Sequence, residues 1–414
     1  MMAFSHWKSG RMIARLEQAA SGLVVAWAIF APGSAQAETR AWIGTSAKAE
    51  IATNPYLLSG PKTSASSAIL SVSPGVKFID SFKTISLRAD YRHTEFSRRY
   101  SSSDDYNVSA SLSQKINARM GFNASLAYDN SVVGANDLLT FGTNPPPGVI
   151  PPPLPGDIAL NGLQQRRHAV SGGLSLDYAA STRDNLQVQG GFSMVRFPTG
   201  SGASEYDNSN GGISYSRVLN SRTSVGLNVG VSRADYRGTL LGDATTFSPQ
   251  ATFSTKFGAT WSLSASLGVS HSRIKGLVGT SGQYSASGNL SLCNAASRGK
   301  FCLSASRSVQ PTSFGNTVRP QTSVGLSYNM RLDPKSTIDA AASISRSGQI
   351  SQNNIITANT VDYARASLTL SRRISPKFQG YLTANFADSY RDPTPRRANS
   401  SLSLGISYSF GDTR

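Results

Sequence analysis

Cysteine is almost absent from this chain: Cys293 and Cys302 are the only two, and histidine numbers four. No His lies near that pair, so the four ligands of a structural metal site are missing. Charge is scarce too, at 15% of 414 residues, without a compensating excess of apolar residues, which stand at 39%. That balance suits neither a disordered acidic tail nor a dense α/β core. Beyond Pro32 no apolar run approaches the roughly 20 residues of a spanning helix, so the chain is either soluble after export or crosses a membrane as strands. There is no P-loop and no dinucleotide fingerprint, and no cofactor is expected. The net charge of +17 does not point to nucleic acid, because the bases are scattered among turns instead of collecting with aromatics on one face.

What is present begins with an export signal. Lys8, Arg11 and Arg15 precede the apolar run GLVVAWAIFAP (Gly22 to Pro32), which leads into Ala35-Gln36-Ala37. This layout predicts a Sec signal peptide over residues 1–37, cleaved near Ala37, and a mature chain of 38–414 carrying +15.

Past that point one pattern recurs. In RVLNSRTSVGLNVGVSRADYR (Arg217 to Arg237), Val225, Leu227, Val229 and Val231 alternate with Ser224, Gly226, Asn228, Gly230 and Ser232. Side chains of a strand alternate faces, so the segment has one apolar face and one face of small polar groups. The same alternation returns near residues 106–113, 122–128, 261–270, 323–330 and 401–410. Short connections such as KINARMG, STRDNLQ, LNSRTSV, KFGATWS and LDPKSTI take turns with long polar ones such as TNPYLLSGPKTSASS and SVQPTSFGNTVRPQ. From LNSRT onward the short turns recur about every 37 to 41 residues, a β-hairpin repeat.

About eighteen strands (16 to 18) follow from this count. At roughly 20 residues per strand and connection they use about 360 residues, close to the mature length. The fold expected is all-β: a transmembrane antiparallel up-and-down barrel with short periplasmic turns and long extracellular loops, in the bacterial outer membrane. Aromatics divide accordingly: Phe122, Tyr178, Phe257, Trp261, Phe301, Phe378 and Phe410 near short turns, and Tyr91, Tyr128, Phe197, Tyr236, Tyr328 and Tyr390 near long loops. Two such belts are what two membrane interfaces select.

A Ser/Gly/Asn/Thr face cannot fill an interior at crystal-like density, so it is expected to meet a wet lumen and the apolar face to meet lipid. In KTISLRADYRHTEF this turns Arg88, Asp90 and Arg92 inward, and Asp177, Asp339 and Arg365 read as inward as well. Two readings stay open: charge pairs bracing the wall, or a basic strip guiding an anionic solute. Across the SRGK turn, Leu290 and Leu292 share a face with Phe301 and Leu303, which leaves Cys293 and Cys302 together on the other face as a disulfide candidate. Residues 131–162 form a long extracellular loop whose Pro145, Pro146, Pro147, Pro151, Pro152, Pro153 and Pro155 make a stiff polyproline element. It is the third long loop, open to an inward constricting position or an outward one.

TNPYLLSG after the first strand and NSRTSVGLNVGVSRADY in the middle resemble the outer-membrane barrels grouped as β-barrel porin 2. That resemblance implies an outer-membrane pore or conduit linked to exopolysaccharide export. It also implies as partners the outer-membrane lipid, an anionic polysaccharide and periplasmic export components. Two further functions compete. A non-conducting structural or adhesive barrel would bind surface glycan or a partner through its loops. A membrane-embedded enzyme needs a base, and of His93, His168 and His271 two read as outward and near loops, so no catalytic activity is expected.

Overall fold

The computed structural model describes residues 38–60, 63–133, 164–198, 203–237, 243–276, 279–313, 317–348, 360–390 and 397–411. The expected signal peptide (1–37) and the proline element lie outside the described residues. Those that are described form eighteen strands and no helix. In chain order they are β1 (Glu38–Ala52), β2 (Ala65–Ile79), β3 (Lys83–Phe96), β4 (Ser103–Lys115), β5 (Met120–Val132), β6 (Arg166–Ala179), β7 (Asp184–Arg196), β8 (Tyr206–Val218) and β9 (Thr223–Tyr236). Then come β10 (Ala244–Phe257), β11 (Trp261–Gly276), β12 (Gly279–Ala296), β13 (Gly299–Thr312), β14 (Thr317–Arg331), β15 (Ser336–Ser347), β16 (Val361–Ser375), β17 (Phe378–Tyr390) and β18 (Asn399–Gly411).

Each strand pairs antiparallel with the next, and β1 pairs with β18 from Trp42↔Gly411 to Ala52↔Ser401, closing the sheet. Closure is what lets a single sheet stand alone, because neither β1 nor β18 is left as an edge strand with a row of unpaired N–H and C=O groups. This is the up-and-down barrel of about eighteen strands that the alternation predicts.

Register fixes the two faces. On β9, Asn228 sits opposite Ser214 on β8 and Gln250 on β10, while Leu227 sits opposite Tyr215 and Ala251. Opposite residues share a face, so the parity of one strand propagates round the wall. One face carries Leu227, Leu267, Ile344 and Leu404, which are 61–73% exposed. The other carries Ser270, Ser345 and Ser403, each 1% exposed or less. The second face is the interior, since its Tyr236 touches residues on strands far round the barrel, as described below.

The tight turns at one end are held by their own side chains. Asn117 Oδ1 accepts the N–H groups of Arg119 and Met120 (2.8 and 2.9 Å), and Asn220 Oδ1 those of Arg222 and Thr223 (both 2.9 Å). Ser181 Oγ does the same for Arg183 and Asp184 (both 3.0 Å). Asn, Ser and Asp replace ladder hydrogen bonds that a reversing backbone cannot make. In the turn after β14, the Lys335 N–H bonds Asp333 Oδ1 at 2.6 Å and holds that carboxyl below the usual carboxylate range. Gly258 supplies the left-handed residue (φ 65°) of the turn after β10. All eight turns at this end span two to four residues.

The opposite end is less regular than expected. SVQPTSFGNTVRPQ is not a long loop: β13 runs to Thr312 and β14 resumes at Thr317, so most of it is a projecting hairpin. On its β12 side the hairpin leaves the wall. The ladder between β12 and β13 stops at Gly288↔Arg307, although both strands continue. The reason lies inside the mouth, where the hairpin tip finds other partners.

Candidate channel lumen and mouth

Two segments fold into the mouth and each buries apolar side chains there. The first is the tip of the β13–β14 hairpin. Tyr236 at the end of β9 accepts the Thr312 N–H at 3.0 Å and donates to the Thr317 carbonyl. Ser204, from the segment before β8, donates its N–H to the Ser313 carbonyl at 2.8 Å. Around these bonds Val195, Phe197, Tyr206, Ala234, Ala244, Ile274 and Val318 form a small hydrophobic core within the barrel. Phe197 and Tyr236 are therefore not belt residues, as their position near long loops had suggested. They face inward and are buried, with Tyr206 and Tyr236 packed ring to ring at 5.8 Å. Tyr328 is a third correction: it faces outward opposite Phe301, at the short-turn end of β14.

The second segment is TNPYLLSG, residues 53–60. Leu57, fully buried and in the left-handed region at φ 52°, packs on Val361 and Tyr363 of β16 and Ala387 of β17. Asn54 pins the fold: its N–H bonds Asn399 Oδ1 (2.9 Å), its amide nitrogen bonds the Leu58 and Arg397 carbonyls, and its Oδ1 accepts the Leu58 N–H. Tyr56 joins Phe96 and Tyr100 in an aromatic cluster with centroids 5.1–5.8 Å apart. A left-handed leucine costs about 1–2 kcal/mol, and full burial of its side chain offsets that by about 1.5–3 kcal/mol.

Below the mouth the lumen has two unlike walls. On β1–β6 charged residues stand among the inward Ser, Gly and Asn positions, and acids answer the bases. Arg88 bonds Asp90 (2.8–3.0 Å), and Arg92 bonds Asp105 on the next strand (2.6 Å), where Asp105 is 1% exposed. Lys48 pairs with Glu50 (2.9 Å) and Arg167 with Asp129 (3.0 Å). Asp177 accepts from Asn123 (3.1 Å) and Gln187 (2.7 Å). Asp339 on β15 accepts from Asn329, and Arg365 on β16 donates to Ser343 Oγ (2.9 Å). The six residues singled out from the sequence all face inward. They form two groups, β3–β6 and β15–β16, separated by β17, β18, β1 and β2.

From β7 through β13, below the apolar cluster at the mouth, the described inward positions are mostly Ser, Thr, Asn, Gln, Gly and Ala, with no carboxylate. The only inward bases on these strands are Lys256 and Lys300, both beside turns. Cys293 and Cys302 sit opposite each other at the base of this wall, Cα atoms 4.1 Å apart, and are joined as a disulfide.

Asp105, Asp129, Arg167, Lys48 and Glu50 were not singled out from the sequence, although alternation alone gives their face. Asp105 shares parity with Asn107 and Ser109, and Tyr236 with Asn228 and Ser232. His93 and His271 face outward. His93 bonds Asp104 (2.8 Å) and His271 stacks on Tyr284 at 4.5 Å. Among the described residues no His, Cys, Asp and Glu are grouped to hold a metal.

No protein-family model matches the chain and no curated protein does, so the resemblance to β-barrel porin 2 gains no support from either. Solved structures similar in overall shape include OpdL of Pseudomonas aeruginosa, at 11% identity and TM-score 0.47, covering 90% of this chain and 99% of that one. Another is a BenF-like porin from Pseudomonas fluorescens, at 9% identity and TM-score 0.47, covering 91% and 99%. The FrpB iron transporter of Neisseria meningitidis aligns at 9% identity and TM-score 0.45, covering 90% and 82%. Alignments this loose transfer no residue role to the present chain.

Proposed function

We propose that the protein is an outer-membrane channel for hydrophilic solutes, with turns in the periplasm and the TNPYLLSG segment and the β13–β14 tip at the extracellular mouth. The observation that carries this reading is the closed wall itself. Its outward face is apolar from β1 to β18 while its inward face is polar, the reverse of a soluble barrel's arrangement. The link to exopolysaccharide export rests on the sequence resemblance, and it makes a polysaccharide the first solute to test.

A second reading, a closed barrel acting through its outer surface, is favoured by the two apolar clusters inside the mouth. Planar-bilayer recording of the refolded protein separates the two. Stepwise ion conductance is expected of the channel, and bilayers that stay silent with correctly folded barrel would leave the structural reading.

A further inference from the structure

The chemistry of the β7–β13 wall is more specific than wetting requires. A lumen lined only to hold water needs small polar groups, and β18 supplies that with Ser401, Ser403, Gly405, Ser407 and Ser409. On β9–β12 long amides are set together instead. Asn228 sits directly opposite Gln250, and one row nearer the turns Asn289 sits opposite Ser266. Gly268 follows Gln250 in its row. A Cβ there would fall 1.9 Å from the Pro249 carbonyl oxygen, so glycine is required where the two backbones crowd and the row carries no side chain at that point. Beside this row lies a cleft of about 290 Å³ whose polar lining includes Ser224, Asn228, Gln250, Ser264, Ser266 and Asn289, with Phe253 and Ala265 as its apolar part. That volume sits at the small end of ligand pockets, which run about 300–1,000 Å³.

Two polar contacts hold the cleft: Gln250 Nε2 donates to Ser287 Oγ (3.3 Å) and the Asn289 N–H to Ser266 Oγ (3.1 Å). Asn228 Oδ1, in contrast, is buried and accepts no hydrogen bond. A buried acceptor without a donor is a cost, and turning the Asn228 amide toward the cleft, where a hydroxyl can meet it, relieves that cost. Each amide offers one acceptor and two donors, and each Ser offers both roles, so adjacent hydroxyls of one ligand can be met in pairs. No charged side chain lines the cleft, so a charged ligand would leave its hydration there without a counter-ion.

We infer that the β9–β12 wall holds a subsite for an uncharged, polyhydroxylated solute, a segment of neutral saccharide. This rests on the channel reading and narrows it to a neutral solute, since the cleft offers no counter-ion to a charged one.

The test uses the full barrel refolded in planar bilayers, with maltohexaose as the neutral probe, oligogalacturonate as the anionic one and poly(ethylene glycol) of matched size as the steric control. Maltohexaose is expected to interrupt the current for longer than the polymer does. Asn228→Ala and Asn289→Ala are each expected to shorten those interruptions about fivefold for each hydrogen bond lost. Ser111→Ala, on the opposite wall, should leave them unchanged. Heat-modifiable gel mobility reports that each variant is folded, and Gln250→Ala serves where Asn228→Ala is not. Conductance with no saccharide effect beyond the polymer's, or with block by oligogalacturonate alone, overturns the subsite and leaves the channel standing. Were there no current at all, calorimetry in detergent decides. Maltohexaose binding that weakens in the Asn228 and Asn289 variants upholds the subsite, and its absence overturns it.

Discussion

Tyr236 and Thr312 meet across the mouth, although β9 and β13 are four strands apart round the wall. The same hydroxyl also bonds Thr317, so one phenol fastens both arms of the hairpin tip at the point where β13 has left β12. An inward hairpin of this kind trades ladder hydrogen bonds for a hydrophobic contact and a side-chain anchor.

Tyr236→Phe keeps the ring in its apolar cluster and removes the anchor. The Thr312 N–H loses its acceptor, at a cost of about 1–3 kcal/mol. Single-channel recording should show a higher or noisier open current than the parent. An identical trace would mean that the tip does not narrow the path.

Leu57→Ala deletes a fully buried side chain that fastens the TNPYLLSG segment to β16 and β17. The expected loss is about 2–5 kcal/mol in urea unfolding of the refolded barrel. A loss under about 0.5 kcal/mol would show that the segment is held by Asn54 alone.

Arg92 and Asp105 form the most deeply buried ion pair of the charged wall, and Asp105 Oδ1 also accepts the Val132 N–H at 3.0 Å. Arg92→Met should cost about 3–5 kcal/mol by leaving the carboxylate unpaired. Adding Asp105→Asn should recover part of it, which a double-mutant cycle measures. Additive losses would argue against direct coupling.

Ile213 and Ser214 are neighbours on opposite faces of β8. Ile213→Arg puts a charge on the outward face and should cost about 2–4 kcal/mol near the bilayer midplane. Ser214→Arg points into the lumen and should cost much less while shifting ion selectivity. Equal effects on folding into lipid vesicles would contradict the assignment of faces.

Cys293 and Cys302 close a short hairpin, so replacing both with Ser should lower stability by about 2–3 kcal/mol. Alkylation with mass detection should find no free thiol in the oxidised barrel before reduction and two after it.

Much of the fold was legible because a strand's side-chain period is 2 and the chain repeats that period with little interruption. Ser224 to Ser232 against Val225 to Val231 gives a two-faced strand without any knowledge of its neighbours. Cys293 and Cys302 come out on one face by the same count, as do Arg88, Asp90 and Arg92. Closeness to a loop is a weaker signal than parity, and Phe197 and Tyr236 are where the two disagree. Tyr236 is in step with Asn228 and had to face inward.

Alternation, the places of the tight turns and the residues that share a face all follow from the order of amino acids alone, since these are local properties of the backbone. Which carboxylate answers which guanidinium, the inward turn of TNPYLLSG onto β16 and the departure of the β13–β14 tip from β12 to Tyr236 emerge only in the folded barrel. Those contacts join residues tens to hundreds of positions apart, and closure of the barrel is what brings them within reach. The carboxylate-free arc from β7 to β13 depends on both: its composition lies in the sequence, but its continuity as one wall exists only once the strands stand side by side.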